Sequence, residues 1–148
     1  DNIARKVIHD LEMVGVLAVE MFVTKQGKVV VNEIAPRPHN SGHQTIEANV
    51  TSQYEQHLRC ILGLPLGDTT IILPSAMVNL LGEEGHSGPA RYEGFAEVLA
   101  MPGVHVHLYG KHFTKPFRKM GHVTIMDADE ESLKKKTNFV KNTLKVIT

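Results

Sequence analysis

Two runs of strand-forming residues, 16–24 and 29–34, are separated by only Lys25-Gln26-Gly27-Lys28, which dictates an antiparallel hairpin. Each run is strongly apolar and carries one acid, Glu20 in the first and Glu33 in the second. An unpartnered carboxylate among apolar side chains is costly, so both acids need a reason. If Gln26-Gly27 forms a two-residue loop, Lys25 faces Lys28 and Glu20 lies opposite Glu33 on one face. A glycine bulge would slip that register by one residue. Adjacent carboxylates repel unless a cation sits between them. Mg2+ takes carboxylate oxygens together with nucleotide phosphates and suits such a pair. The plain alternative is two edge carboxylates, each solvated or paired with a lysine.

The stretch after the second strand, Asn32-Glu33-Ile34-Ala35-Pro36-Arg37-Pro38-His39-Asn40-Ser41-Gly42-His43, has no packing purpose that its residue types suggest. Residues 35–43 read as a loop. Arg37 offers a planar fork for a carboxylate, carbonate or phosphate. His39 can donate a hydrogen bond or move a proton near neutral pH. Asn32 and Asn40 can donate or accept. His39 and His43 are four apart, which raises zinc, but Pro38 and Gly42 oppose the helix that would align them. No HExxH pattern or cysteine ligand supports zinc either.

Around this centre the pattern predicts a first helix with Ile3, Ala4, Val7, Ile8 and Leu11 on one face. A helix over 51–62 follows, capped by Thr51 or Ser52, with Tyr54, Leu58, Ile61 and Leu62 as its inner face. Pro65, Gly67 and Pro74 mark a connection over 64–74 and divide the chain into residues 1–66 and 67–148. Beyond it come a strand over 75–81, a glycine-rich loop over 82–89, and a short helix over 90–100. Strands over 104–109 and 122–126 precede a final helix capped by Asp127 or Asp129. Its core face is Leu133, Phe139, Val140, Leu144 and Ile147. The fold class is α+β: a hairpin backed by helices, then a small three-stranded sheet with two helices.

Bulk properties exclude some functions. Across 148 residues, 16 basic side chains balance 16 acidic ones, so no net charge draws the chain to nucleic acid or anionic lipid. No apolar run approaches the roughly 20 residues that span a bilayer, and the opening residues are not a secretory signal, so no membrane role and a cytoplasmic location are expected. The lone Cys60 is expected to be a buried thiol, not a nucleophile. The chain starts within a helical pattern and without Met, which suggests part of a longer chain.

The twelve-residue stretch from Asn32 to His43, preceded by Val19-Glu20-Met21-Phe22-Val23-Thr24, resembles the 5-(carboxyamino)imidazole ribonucleotide synthases of the ATP-grasp superfamily. The likeness continues at Thr51-Ser52-Gln53-Tyr54-Glu55, Leu64-Pro65-Leu66-Gly67 and Met77-Val78-Asn79-Leu80-Leu81-Gly82. It returns at His107-Leu108-Tyr109-Gly110-Lys111 and Arg118-Lys119-Met120-Gly121-His122-Val123-Thr124, so it covers nearly the whole chain.

The resemblance implies the C-terminal part of an ATP-grasp core followed by a small C-terminal subdomain. It implies ATP- and bicarbonate-dependent carboxylation of aminoimidazole ribonucleotide through carboxyphosphate, with ATP and Mg2+ as cofactors and a homodimer as the intact form. Glu20 and Glu33 match paired Mg2+ ligands, with Asn32 beside the nucleotide. Arg37, His39 and Asn40 match the bicarbonate and carboxyphosphate site, and Lys111, Arg118 and Lys119 a cluster near the ribonucleotide phosphate. The family's N-terminal domain and lid are not in this sequence, so activity of the chain alone is not expected. Two rival readings are formyl transfer to glycinamide ribonucleotide by another ATP-grasp enzyme, and a non-catalytic dimerisation or scaffold domain. Lys134-Lys135-Lys136 and His105, His107 and His112 are expected at the surface.

Overall fold

The hairpin is present, closed by a different turn. In the computed structural model, which describes residues 2–148, the chain divides into two units, residues 1–70 and 71–148. The first holds helix α1 (Asn2–Asp10), antiparallel strands β1 (Ala18–Val23) and β2 (Val29–Ala35), and helices α2 (Thr45–Ala48) and α3 (Gln53–Ile61). The Thr24 N–H donates to the Lys28 carbonyl at 2.8 Å, so three residues, Lys25 to Gly27, form the connection. Gly27 supplies the left-handed conformation that such a loop requires, at φ 77°.

Helix α3 begins where its sequence says: Ser52 is the N-cap and its hydroxyl accepts the Glu55 N–H at 3.2 Å. Its expected inner face is not covered by the described residues. Tyr54, Leu58, Ile61 and Leu62 are all exposed, as are Phe22, Val23, Val29, Val31 and Ile34 of the hairpin. Cys60 is half-buried, not buried. The buried side chains of this unit are Ala35, Ala48 and Thr51. Apolar periodicity reports that a face wants cover, not that the cover lies within the same stretch of chain.

The second unit has a core of its own. Strands β3 (Ser75–Leu81), β6 (Val104–Leu108) and β8 (Lys119–Met126) form an antiparallel sheet in the order β3-β8-β6. From Met120 to Ile125 the central strand is buried throughout. Its Met120, Val123 and Ile125 pack with Leu80, Val98, Val104, Val140, Leu144 and Val146. Val98 comes from helix α4 (Phe95–Leu99), and Val140 from helix α5 (Glu130–Thr143). Asp129 caps α5, its carboxylate accepting the Ser132 N–H at 2.7 Å. Glu130 and Glu131 then suit the positive end of the helix.

Several expectations fail here for identifiable reasons. Residues 90–100 are not one helix: strand β5 (Arg91–Glu93) comes first, and Gly94, at φ 70°, turns the chain into α4. A side chain at Gly94 would strike the Thr143 carbonyl, so glycine is required twice over. Helix α5 stops at Thr143, and strand β9 (Lys145–Ile147) pairs with β5. Val146 is therefore buried where Ile147 was expected, and Phe139 is exposed. The two-residue strands β4 (Gly88–Pro89) and β7 (Phe113–Thr114) pair with each other and are too short to show a sequence period. Lys136 is no solvated helix residue: its ammonium meets Asp127 at 2.8 Å and the Pro102 carbonyl at 2.8 Å. His107 is half-buried and its ring stacks on buried His122, with centroids 4.5 Å apart. His105 is half-buried as well, and His112 is exposed.

Ile125 has no exposure, so Ile125→Ala is expected to lower the unfolding free energy by about 2–5 kcal/mol in chemical denaturation. The ammonium of Lys136 and the Ser132 hydroxyl hold the Asp127 carboxyl well below the usual carboxylate range. A folded pKa below the unfolded one stabilises at pH above the unfolded value, near 3.8, and the gain is lost as pH falls through the folded value. Asp127→Asn should therefore lower the melting temperature at pH 7, with the gap to the unaltered protein closing below about pH 4.

Candidate active site

The ladder between β1 and β2 pairs Val23 with Val29, Phe22 with Val30 and Met21 with Val31, and then Glu20 with Glu33. Asn32 is the extra residue in a β-bulge. The three-residue turn shifts the ladder by one from a two-residue loop, and the bulge shifts it back. Glu20 and Glu33 thus stand opposite each other, although the turn is not the one that would have put them there directly. A bulge sets two residues against one on the facing strand. The Asn32 amide accordingly comes within 3.4 Å of the Glu20 carboxylate.

His39 completes the cluster. Carboxylate oxygens of Glu20 and Glu33 and a ring nitrogen of His39 all lie within 4.8 Å of one another. The Nε2 atom of His39 is 3.5 Å from Glu20, and its side chain is only 15% exposed against 44% for Glu20. On the other side of the ring, Nδ1 lies 2.9 Å from the Ser41 hydroxyl and 3.4 Å from the Ser41 N–H. A backbone N–H can only donate, so Nδ1 accepts and the proton of the neutral ring sits on Nε2, facing Glu20.

The loop expected over 35–43 is more ordered than its composition suggests. Ala35 ends β2, and Asn40–Gly42 forms a 3-10 turn that leads into α2. Arg37 is exposed, and its guanidinium donates to the Pro38 carbonyl at 2.9 Å. Asn40 opens the 3-10 turn, and its carbonyl accepts from the His43 N–H at 3.1 Å. The structure thus brings Glu20, Asn32, Glu33 and His39 together, with Arg37 and Asn40 on the same loop beside them in sequence.

Sequence reasoning missed Gln53. At the start of α3, its amide accepts the His39 N–H at 2.8 Å and donates to the His39 carbonyl at 2.7 Å. The same amide nitrogen lies 2.9 Å from His43 Nδ1. The available signal was an amide side chain just after a helix cap, which by itself indicates nothing.

Lys111, Arg118 and Lys119 lie in the second unit. The Lys111 ammonium donates to the Lys119 carbonyl at 2.5 Å and sits 5.7 Å from the centre of the Tyr109 ring. The Tyr109 hydroxyl meets Nδ1 of buried His122 at 3.0 Å. Arg118 bonds the Phe113 carbonyl at 3.0 Å. Lys111 and Arg118 are thus tied to backbone carbonyls, those of Lys119 and Phe113.

Residues 1–54 match the ATP-grasp domain, and residues 75–136 match the phosphoribosylaminoimidazole carboxylase C-terminal domain. The chain is 48% identical over 130 residues to the N5-carboxyaminoimidazole ribonucleotide synthase of Bacillus subtilis, a match covering 88% of this chain and 33% of that protein. The crystal structure of the synthetase from Thermotoga maritima superposes with a TM-score of 0.93 at 55% identity, over 99% of this chain and 41% of that one. The chain belongs to the N5-carboxyaminoimidazole ribonucleotide synthase family. A third relative is the Aspergillus clavatus synthase, in complex with ADP and 5-aminoimidazole ribonucleotide. It superposes with a TM-score of 0.82 at 34% identity, over 95% of this chain and 38% of that one. The chain therefore spans about a third of the length of the relatives that it matches. Among the described residues, no helix is long and apolar enough to cross a membrane.

Proposed function

We propose that this chain carries the metal and bicarbonate side of an active site that carboxylates 5-aminoimidazole ribonucleotide to N5-carboxyaminoimidazole ribonucleotide, with cleavage of ATP, in purine synthesis. The activity is that of the whole enzyme. The observation that carries this reading is the convergence of Glu20, Glu33 and His39 within 4.8 Å.

Two carboxylates whose charges need neutralising form a donor set that fits Mg2+. Glu20 and Glu33 would hold the ion, and it would offset the charge of the nucleotide phosphates. His39, its Nε2–H directed at Glu20, keeps that carboxylate oriented. Asn32 donates to the same carboxylate and stands beside the nucleotide. Arg37 carries five N–H donors in a fixed fork and can take bicarbonate through two of them. The Asn40 amide would hold a bicarbonate oxygen.

In the first step a bicarbonate oxygen attacks the γ-phosphorus, the bond to the bridging oxygen breaks, and ADP leaves with carboxyphosphate formed. The substrate amine then attacks the carboxyphosphate carbon, the carbon–oxygen bond to phosphate breaks, and the leaving phosphate takes up the proton that the amine gives up. Both steps depend on alignment and charge neutralisation more than on any covalent enzyme group. Lys111, Arg118 and Lys119 take the phosphate of the ribonucleotide. The nucleotide substrates suit a cytoplasmic enzyme, and the family resemblance supports a homodimer.

The test is ADP release from ATP by the full-length protein, with and without aminoimidazole ribonucleotide and bicarbonate. Release should require the ribonucleotide, and Glu33→Ala should lower it by about a hundredfold or more. Release triggered by glycinamide ribonucleotide instead, or indifferent to any ribonucleotide, would overturn the assignment.

A further inference from the structure

We propose that Gln53 is a positioning residue of this site, fixing the backbone of His39 so that the imidazole stays directed at Glu20. The proposal rests on the reading of the Glu20, Glu33 and His39 cluster as part of the active site. Its geometric half stands without that reading.

The Gln53 amide grips both backbone groups of one residue, the His39 N–H at 2.8 Å and the His39 carbonyl at 2.7 Å. A side-chain amide used this way imitates a strand partner, and it fixes the rotation of the His39 peptide units. The second hydrogen of the amide nitrogen reaches His43 Nδ1 at 2.9 Å. The amide cannot turn over without setting its oxygen against the His39 carbonyl, so a single orientation satisfies every group.

The loop is also closed down on this amide. A side chain at Gly42 would come within 2.6 Å of Gln53 Oε1 and 2.8 Å of its Cδ. The Gln53 backbone N–H donates to the Thr45 hydroxyl at 2.9 Å, and that hydroxyl donates to the Gly42 carbonyl at 2.6 Å. The Tyr54 hydroxyl meets the same His43 Nδ1 atom at 2.8 Å. Partial burial moves the Tyr54 pKa up from its ordinary value, further above neutrality.

The fold contains its own comparison. Gln56, one helical turn beyond Gln53, makes the same two-pronged grip on Gly67, donating to its carbonyl at 2.6 Å and accepting its N–H at 3.0 Å. Loss of either glutamine removes the same kind of interaction from the same helix. Only Gln53 is attached to a residue that touches Glu20.

The experiment compares Gln53→Ala with Gln56→Ala in two measurements. In this chain, long-range proton–nitrogen NMR of the histidine rings reads the His39 tautomer. The Nε2–H signature should be present in the unaltered protein and in Gln56→Ala, and averaged in Gln53→Ala. Gly42→Ala, which presses on the amide from the loop side, should average it too and stands in should Gln53→Ala not fold. In the full-length protein, Gln53→Ala should lower kcat about tenfold to a hundredfold, with KM for ATP within about twofold, and Gln56→Ala should leave kcat within about twofold. An unchanged His39 signature in Gln53→Ala, or equal loss of kcat in both variants, would overturn the positioning role. An averaged signature with kcat unchanged would instead overturn the placing of His39 in the active site.

Discussion

Two carboxylates on neighbouring strands repel, and everything around Glu20 and Glu33 serves to keep them facing each other regardless. Backbone hydrogen bonds of the hairpin provide the force, since a ladder once formed leaves each side chain little choice of position. The cost of the repulsion falls on the folded protein whenever no cation is present. Asn32 and His39 lessen it by presenting N–H groups to Glu20. A neutral donor on one side of a carboxylate leaves the other lone pairs available to a positive ion. The hydrogen bonds around the cluster therefore orient the acids without neutralising them, which is the state that a cation-binding site requires before its ion arrives.

The two units meet the problem of stability differently. In the second, β8 is buried from Met120 to Ile125, and α4, α5 and β9 close a core around it. In the first, few side chains are buried, and α3 holds three separate loop segments by directed polar contacts: Gln53 on His39, Gln56 on Gly67, His57 on the Val16 N–H at 3.1 Å. Such bonds contribute little net stability each, yet they fix geometry more sharply than apolar contact does. Helix α3 serves here as a rail of polar side chains whose apolar face is left exposed by the described residues.

Much of this was legible in the sequence, and the failures have physical causes. The hairpin, the α3 cap and the sheet strands follow from local pattern and turn chemistry, whereas the opposition of Glu20 and Glu33 depends on the Asn32 bulge, which restores the register that the three-residue turn shifts. The family resemblance added what pattern could not, the link between the acids and the loop from Arg37 to His43. Residues 90–100 and 145–147 were misread because β5 and β9 exist only as partners of each other, and pairing between distant segments leaves no local mark. Gln53, Lys136 and His107 were missed or misplaced for a common reason. A long polar side chain looks alike in sequence whether it ends in solvent or on a partner, and only the fold decides which.

The bulge at Asn32 has a bearing on how tolerant the site is of motion. The tip of the hairpin could close as a two-residue loop with a continuous ladder, and Glu20 would still face Glu33. Between the two arrangements only residues near the tip exchange faces. On β2 these are three consecutive valines, Val29, Val30 and Val31, whose exchange alters little, and Asn32, which would move onto the apolar face beside Met21. The choice of register thus falls to one polar side chain at one position. Whichever way the tip closes, the paired acids behind it keep the same register.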